Sequence, residues 1–266
     1  MITDKYEKLL AEIKSYGKLA VAFSGGVDST LLLKAAYDAL GKNALAVTVK
    51  SDFMPKIEIE EAQNIANDIG VEQIMMNIDV LEYPDIAKNP FDRCYHCKAA
   101  IFTKIMEEME KRGFGKIAEG SNLDDINDYR PGFKAVEELG IVSPLLDVEI
   151  TKEEIRELAK ELNLPNWNKP AAACLASRIP YGDEITKEAL ERICQAELIL
   201  SSYGFINARV RLHKTIARIE IMEKDLEKFI KNRKRILYSL KSLDFPYIAL
   251  DLEGYKRGSL NKVKER

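Results

Sequence analysis

The sequence predicts an α/β fold: a doubly wound parallel sheet followed by a smaller C-terminal α+β domain. Two observations point to the sheet. Short apolar runs at residues 19–23, 44–49 and 71–80 have the length and content of buried parallel strands. Between them lie segments with apolar residues at helical spacing, and such alternation winds into a right-handed parallel sheet. A third observation marks the second part, where the rhythm changes to two period-two runs joined by a short turn, the pattern of an antiparallel hairpin. The expected domains are residues 1–182 and 183–266.

Taken in order, residues 4–16 read as an amphipathic helix with Tyr6, Leu9, Leu10 and Ile13 on one face. The strand at 19–23 runs into Ser24-Gly25-Gly26-Val27-Asp28-Ser29 and then an apolar helix ending near Gly41. A strand at 44–49 precedes a helix at 57–69, whose Ala62, Ile65, Ala66 and Ile69 share a side and which Gly70 closes. After the strand at 71–80 comes a proline-containing stretch ending in Cys94-Tyr95-His96-Cys97-Lys98, with a helix expected over 99–111. A brief strand at 116–119 meets a second polar turn, Gly120-Ser121-Asn122-Leu123-Asp124-Asp125. Residues 151–162 form a helix with Thr151 as its cap and Glu153 and Glu154 in its first turn. A loop over 169–182, bounded by prolines, carries Cys174-Leu175-Ala176-Ser177-Arg178. Beyond it are a helix at 186–203, hairpin strands at 207–213 and 216–222, helical residues 224–242 and a strand at 246–252.

The chain has 266 residues, 46% hydrophobic and 31% charged, enough apolar content for a full core and enough charge for a water-facing surface. No apolar run reaches the roughly 18 residues of a membrane span, and the N-terminus lacks a signal-peptide pattern, so the cytoplasm is the expected location. Net charge is −3, but residues 203–266 hold 16 basic against 8 acidic residues, leaving 24 against 35 in the rest. That asymmetry predicts a C-terminal module that meets something anionic, with a solvated basic face as the plainer reading. His96 and His213 are the only histidines, which argues against a Ser-His-Asp triad or a multi-histidine metal site.

The turn at residues 24–29 is where the chemistry is expected. A strand turning sharply into a helix aims backbone N–H groups and the positive end of the helix at one point, which makes an anion cradle. Gly25 and Gly26 let backbone approach a phosphate without a Cβ in the way, and Ser24 and Ser29 add hydroxyl donors. Asp28 is an odd neighbour for phosphate unless a cation joins them. No Gly-Lys-Ser/Thr ending is present, so this is not a Walker loop. It resembles the SGGxDS loop of the PP-loop ATP pyrophosphatases, which grip pyrophosphate while ATP is split to AMP. The plain alternative is a strand–turn–helix corner capped by Ser and Asp.

Four cysteines in such a chain argue against a disulfide framework. Cys94 and Cys97 are compatible with a redox dithiol, half a zinc site, part of an iron–sulfur site, or coincidence, and spacing does not choose among these. Cys194 lies in a helical pattern beside Ile193 and is expected to be a buried structural thiol. Cys174 differs, since Arg178 close by would favour its thiolate.

With these segments, Asp128-Tyr129-Arg130-Pro131-Gly132 and the closing Gly254-Tyr255-Lys256-Arg257-Gly258-Ser259 in hand, the chain resembles the LarE family nearly end to end. Those ATP-dependent sulfur transferases help make the nickel-pincer nucleotide cofactor of lactate racemase. The resemblance implies that a carboxylate of a pyridinium dicarboxylate mononucleotide is adenylated by ATP and that sulfur then displaces AMP. Some members sacrifice the sulfur of a single cysteine, corresponding to Cys174. The added Cys94 and Cys97 are similar to a variety in which three cysteines hold a [4Fe-4S] cluster that carries an extra sulfide. On this resemblance Ser24, Gly25, Gly26, Asp28 and Ser29 take the ATP phosphates, with Gly120, Asn122 and Asp125 at the second turn and Asp28 or Asp125 near Mg²⁺. Cys174, Ser177 and Arg178 form the reacting region. Arg209, Arg211 and Arg218 are candidates for a nucleotide phosphate, as arginine forks often are, against a solvated hairpin paired across to Glu220. The expected partners are that nucleotide, sulfide or another sulfur donor, and further copies of the chain, a hexamer being one implied form; neither nucleic acid nor membrane is expected. Rival readings are a PP-loop tRNA thiolase, an amidating synthetase of the same superfamily, and a nucleotide-binding redox sensor that switches through Cys94 and Cys97.

Overall fold

The computed structural model describes residues 2–127, 131–170 and 173–256. In chain order, helix α1 (Ile2–Ser15) leads to strand β1 (Leu19–Ala22), α2 (Val27–Leu40), β2 (Ala44–Lys50), α3 (Lys56–Ile69) and β3 (Glu72–Asn77). Then come α4 (Pro84–Ala87), α5 (Arg93–Lys111), β4 (Ile117–Ala118), α6 (Pro131–Glu138), α7 (Pro144–Asp147) and α8 (Lys152–Glu161). The C-terminal part adds α9 (Lys187–Ser202), β5 (Arg209–His213), β6 (Ile216–Glu220), α10 (Leu226–Lys241) and β7 (Tyr247–Leu250).

Two compact units result, residues 1–80 with 92–172, and residues 81–91 with 173–266. The division falls at 172/173, whereas the sequence reading put its boundary at 182/183. The segment from 173 packs with the C-terminal unit because Arg178 is bound to Glu197 of α9 and because Asn89 donates to the carbonyls of Pro180 and Asp183. These tertiary links leave no local sequence signal.

The first unit is α/β, built on a parallel sheet of order β3-β2-β1-β4. Alternation along β1 explains why both faces are covered. Leu19, Val21 and Phe23 join the cluster with Leu9, Ile13, Leu31, Leu32, Ile155 and Leu158, while Ala20 joins Leu45, Val47, Phe102, Ile105, Met109 and Ile117 on the other face. The chain leaves β1 toward β2 and β3, then returns to place β4 on β1's other side. This reversal is the switch point at which open parallel sheets bind ligands, beyond the carboxyl ends of the strands.

Helix α8 starts as its sequence requires. The Thr151 hydroxyl accepts from the Glu154 N–H while the Glu154 carboxylate accepts from the Thr151 N–H, a complete capping box. Helix α5 differs from expectation, for it begins at Arg93 and not near residue 99. The proline-rich approach hid the start, and Cys94 and Cys97 therefore lie near the start of a helix.

The second unit carries a three-stranded sheet of order β5-β6-β7, with β5 antiparallel and β7 parallel to β6. Phe205, Phe229, Ile236, Leu240 and Phe245 are buried in this unit. Cys194, expected buried, is partly exposed, since Ile193 and Ala196 take the inward positions of α9. Among the described residues no helix is long and apolar enough to cross a membrane.

Candidate functional site

The carboxyl end of β1 is anchored before the turn begins. Phe23 donates its N–H to Val47 and accepts at its carbonyl from the Thr48 hydroxyl. Gly25 then adopts a left-handed backbone with φ +73°, and a Cβ there would stand 3.0 Å from the Cβ of Ala62 on α3. Both the conformation and the close approach require glycine. Gly26 is the N-cap of α2 in extended geometry, and no side chain caps the helix. The plain capped corner is therefore not what this chain builds. The first turn of a fourteen-residue helix thus starts behind two glycines with no side chain capping it, and a phosphate there would satisfy its N–H groups.

The hydroxyls of Ser24 and Ser29 lie 3.2 Å apart across the turn, and Ser29 also donates to the Gly26 carbonyl. The second polar turn meets the first, for a Cβ on Gly120 would come within 3.0 Å of the Ser29 nitrogen. Asn122, almost wholly buried, donates its side-chain amide to Asp28 at 3.4 Å and accepts the Asp124 N–H at its Oδ1, while its backbone N–H goes to Asp125. Asp125 thus closes its own turn, and Asp28 is the carboxylate that lies against the phosphate loop. Behind this turn Glu119 accepts from the Ser121 N–H, the Ser143 hydroxyl and Lys98. Burial works to raise its pKa, but Lys98 and the hydrogen bonds outweigh burial and hold the carboxyl below its usual range.

Two residues here escaped the sequence reading. Lys152 reaches from the first turn of α8 to ion-pair with Asp28. A cation at a helix N-terminus opposes the helix dipole, and that misfit was the available signal. Asn166 donates to the Gly25 carbonyl at 2.9 Å and to the Thr30 hydroxyl at 2.8 Å. Nothing local in its sequence marks it.

The cysteines divide between the units. In the first, Cys94 is exposed and Cys97 partly exposed, one helical turn apart, with an Arg93 Nη 3.9 Å from the Cys94 sulfur. In the second, exposed Cys174 precedes a single 3₁₀ turn (Leu175–Arg178). The buried Arg178 shapes that turn, donating to the carbonyls of Ala173 and Cys174 and to the Ser177 hydroxyl while its other edge forks onto Glu197. Among the described residues no group of three His, Cys, Asp or Glu side chains stands ready to hold a metal ion. All three are thiols outside any disulfide, a ligand type that iron–sulfur clusters use.

The hairpin arginines occupy a different setting from the open fork expected of them. Arg211 ion-pairs with Glu220, which is wholly buried, and donates to the Ser177 carbonyl. Arg218 pairs with Glu220 at 3.1 Å and with Asp251. Cross-strand pairing to Glu220 is thus present, though buried and not solvated. Arg209 is less engaged, 4.0 Å from Glu197 and over the Tyr255 ring. Burial, with Arg178 and Arg211 nearby, lowers its pKa. His213 is pushed down as well, by burial and then by Arg218. The sequence segments at 128–130 and 257–259 and the pair Ala171 and Ala172 lie outside the described residues.

Comparison with known proteins agrees with this geometry. Residues 18–90 match the family model of the queuosine biosynthesis protein QueC. The pyridinium-3,5-bisthiocarboxylic acid mononucleotide synthase of Lactiplantibacillus plantarum is 37% identical over 98% of this chain and 95% of its own. The chain belongs to the LarE family. It is accordingly an enzyme of an ATP-utilising PP-loop group. An uncharacterised Synechocystis protein is 39% identical over 99% of both chains. At greater distance, the NH(3)-dependent NAD(+) synthetase of Methanococcoides burtonii is 27% identical over 72% of this chain and 75% of its own.

Proposed function

We propose that this LarE-family chain is an ATP-dependent sulfur transferase that converts a carboxylate of a pyridinium dicarboxylate mononucleotide into a thiocarboxylate. The observation that carries the reading is the uncapped N-terminus of α2 behind Gly25 and Gly26, an anion cradle in a chain of this family. A carboxylate is a poor electrophile. Its oxygen attacks the α-phosphorus of ATP, the bond to the bridging oxygen breaks, and pyrophosphate leaves into the cradle, where N–H groups and the Ser24 and Ser29 hydroxyls disperse its charge. A sulfur nucleophile then attacks the acyl carbon, and AMP leaves with the acyl oxygen's electron pair. Hydrosulfide or thiolate is nucleophilic near neutral pH without a histidine base, which suits a chain with only two histidines.

In this reading Asp28 or Asp125 would hold Mg²⁺ beside the phosphates, carboxylate oxygens being ligands that suit the ion. Lys152, paired with Asp28, would bring a positive charge to the phosphates. Gly120 and Asn122 back the loop, Arg178 and Ser177 set the Cys174 turn, and Arg209 is the hairpin arginine with donors to spare for the mononucleotide phosphate. A [4Fe-4S] cluster on Cys94, Cys97 and Cys174 would supply sulfide for repeated transfer. The same reading carries a cytoplasmic homo-oligomer.

The test is anaerobic purification with iron, sulfide and zinc analysis, then assay with the dicarboxylate mononucleotide, Mg²⁺-ATP and sulfide. The expected result is about four irons per chain, lost in Cys97→Ala, with AMP, pyrophosphate and an oxygen-to-sulfur mass change in many product molecules per chain. A single turnover that leaves dehydroalanine at Cys174 would replace the cluster by sacrifice. Thiolated tRNA instead of thiolated mononucleotide would replace the substrate, and absence of pyrophosphate release would remove the enzyme reading altogether.

A further inference from the structure

We infer that Asn166 is a positioning residue that locks the Gly25–Gly26 peptide plane with its N–H toward the phosphate. The inference rests on the reading of residues 24–29 as the ATP phosphate cradle and deepens it. A peptide between two glycines is the softest in such a turn, because turning it over changes ψ of one residue and φ of the next with no Cβ to resist. In one orientation the Gly26 N–H faces the anion. In the other the Gly25 carbonyl does, and repels it. Gly26 holds its own N–H only by a 3.4 Å contact to the Ser24 hydroxyl, too long to fix the plane.

The carbonyl side is where the plane is fixed. Asn166 is 6% exposed and spends both N–H groups on the loop, one on the Gly25 carbonyl and one on Thr30, itself fully buried in the first turn of α2. A carbonyl only accepts, so the amide nitrogen and not the oxygen must face Gly25. That leaves the Asn166 Oδ1 buried without a hydrogen-bond partner among the described residues. An orphaned buried oxygen is destabilising, and a side chain retained for packing alone would be apolar. The amide is there for its donors.

The mount is rigid. Arg156 of α8 donates to the carbonyls of Trp167 and Lys169, just after Asn166, and Leu164 just before it is buried. Lys169 ion-pairs with Glu58 and Glu61 of α3, the helix whose Ala62 abuts Gly25. The acceptors outweigh burial and raise the Lys169 pKa, so the strap stays tied at neutral pH.

The test is calorimetric titration of the full chain with Mg²⁺-ATP, Mg²⁺-pyrophosphate and adenosine. Asn166→Leu keeps the branched shape and heavy-atom count, removes both donors and removes the orphaned oxygen, so a merely structural role predicts unchanged or higher thermal stability and unchanged binding. The expected result is that ATP and pyrophosphate weaken by about tenfold or more, adenosine stays within about twofold, and the melting temperature does not fall. Asn166→Ser, smaller and with one donor, is expected to fall between and is read the same way should the leucine variant not fold. Parallel weakening of all three ligands, or of none, overturns the role of Asn166. A wild-type chain that binds neither ATP nor pyrophosphate would instead remove the cradle on which it rests.

Discussion

Two regions of this molecule were expected to meet phosphate, the turn at residues 24–29 and the arginine hairpin, and they are made of different material. The turn is built from backbone. Its donors are peptide N–H groups, aimed by a left-handed Gly25 and an uncapped Gly26, and no distant side chain can neutralise them. The hairpin is built from side chains: Arg211 and Arg218 are engaged within the fold by Glu220 and Asp251, and Arg209 lies 4.0 Å from Glu197. An anion site made of contiguous backbone is specified where it stands. One made of guanidinium groups depends on which carboxylates the fold brings alongside.

Breaking the hairpin is expected to have the largest effect on stability. Arg211→Met takes from the wholly buried Glu220 the two N–H donors on its Oε2, leaving Arg218 on the other oxygen, and breaking such a pair from one side costs about 3 kcal/mol. The measurement is the urea midpoint, and adding Glu220→Met should restore part of the loss. An Arg211→Met chain as stable as wild type would mean that these ion pairs do not hold the hairpin, and the contrast between the two regions would fail.

The corresponding break in the backbone site is Gly25→Ala. A left-handed conformation costs a residue with a Cβ about 1–2 kcal/mol, and the new methyl would crowd Ala62 at 3.0 Å. Stability should fall less than in the hairpin variant, while pyrophosphate release falls about a hundredfold, because the cradle's donors no longer point together. Wild-type turnover in Gly25→Ala would show that the N–H groups of this turn do not carry the reaction.

The same distinction explains what was legible in the sequence. The parallel sheet, the Thr151 capping box and the loop at 24–29 are written in neighbouring residues, as strand-length apolar runs, a Thr with Glu three positions on, and a Gly–Gly pair between strand and helix. The partner of Arg178, the tie from Lys152 to Asp28 and the grip of Asn166 on Gly25 join residues far apart along the chain, and periodicity cannot see them, whereas the pairing of Arg211 to Glu220 follows from the hairpin pattern itself. The start of α5 was missed for a local reason. Pro90 and the polar residues after it read as loop, although Asp92 followed by Arg93 begins the helix and puts both cysteines near its start.

The finest test compares two buried carboxylates, one behind each region. Glu220 is held by arginines, whereas Glu119 behind the phosphate loop is held by Lys98, an N–H and a hydroxyl. Its folded pKa lies below the ordinary value of 4.5, so its ionised form stabilises the fold above that value, and the contribution is lost as pH falls through the folded pKa. Glu119→Gln keeps the shape and an acceptor but removes the charge. The stability gap between wild type and this variant, about 1 kcal/mol on the scale of a hydrogen bond, should hold steady from about pH 7 to pH 5 and close only below 4.5. Urea unfolding across that range reads it. A gap that persists undiminished in acid would mean that Glu119 is held by the shape of its pocket, and that the backbone-built region owes nothing to the charge behind it.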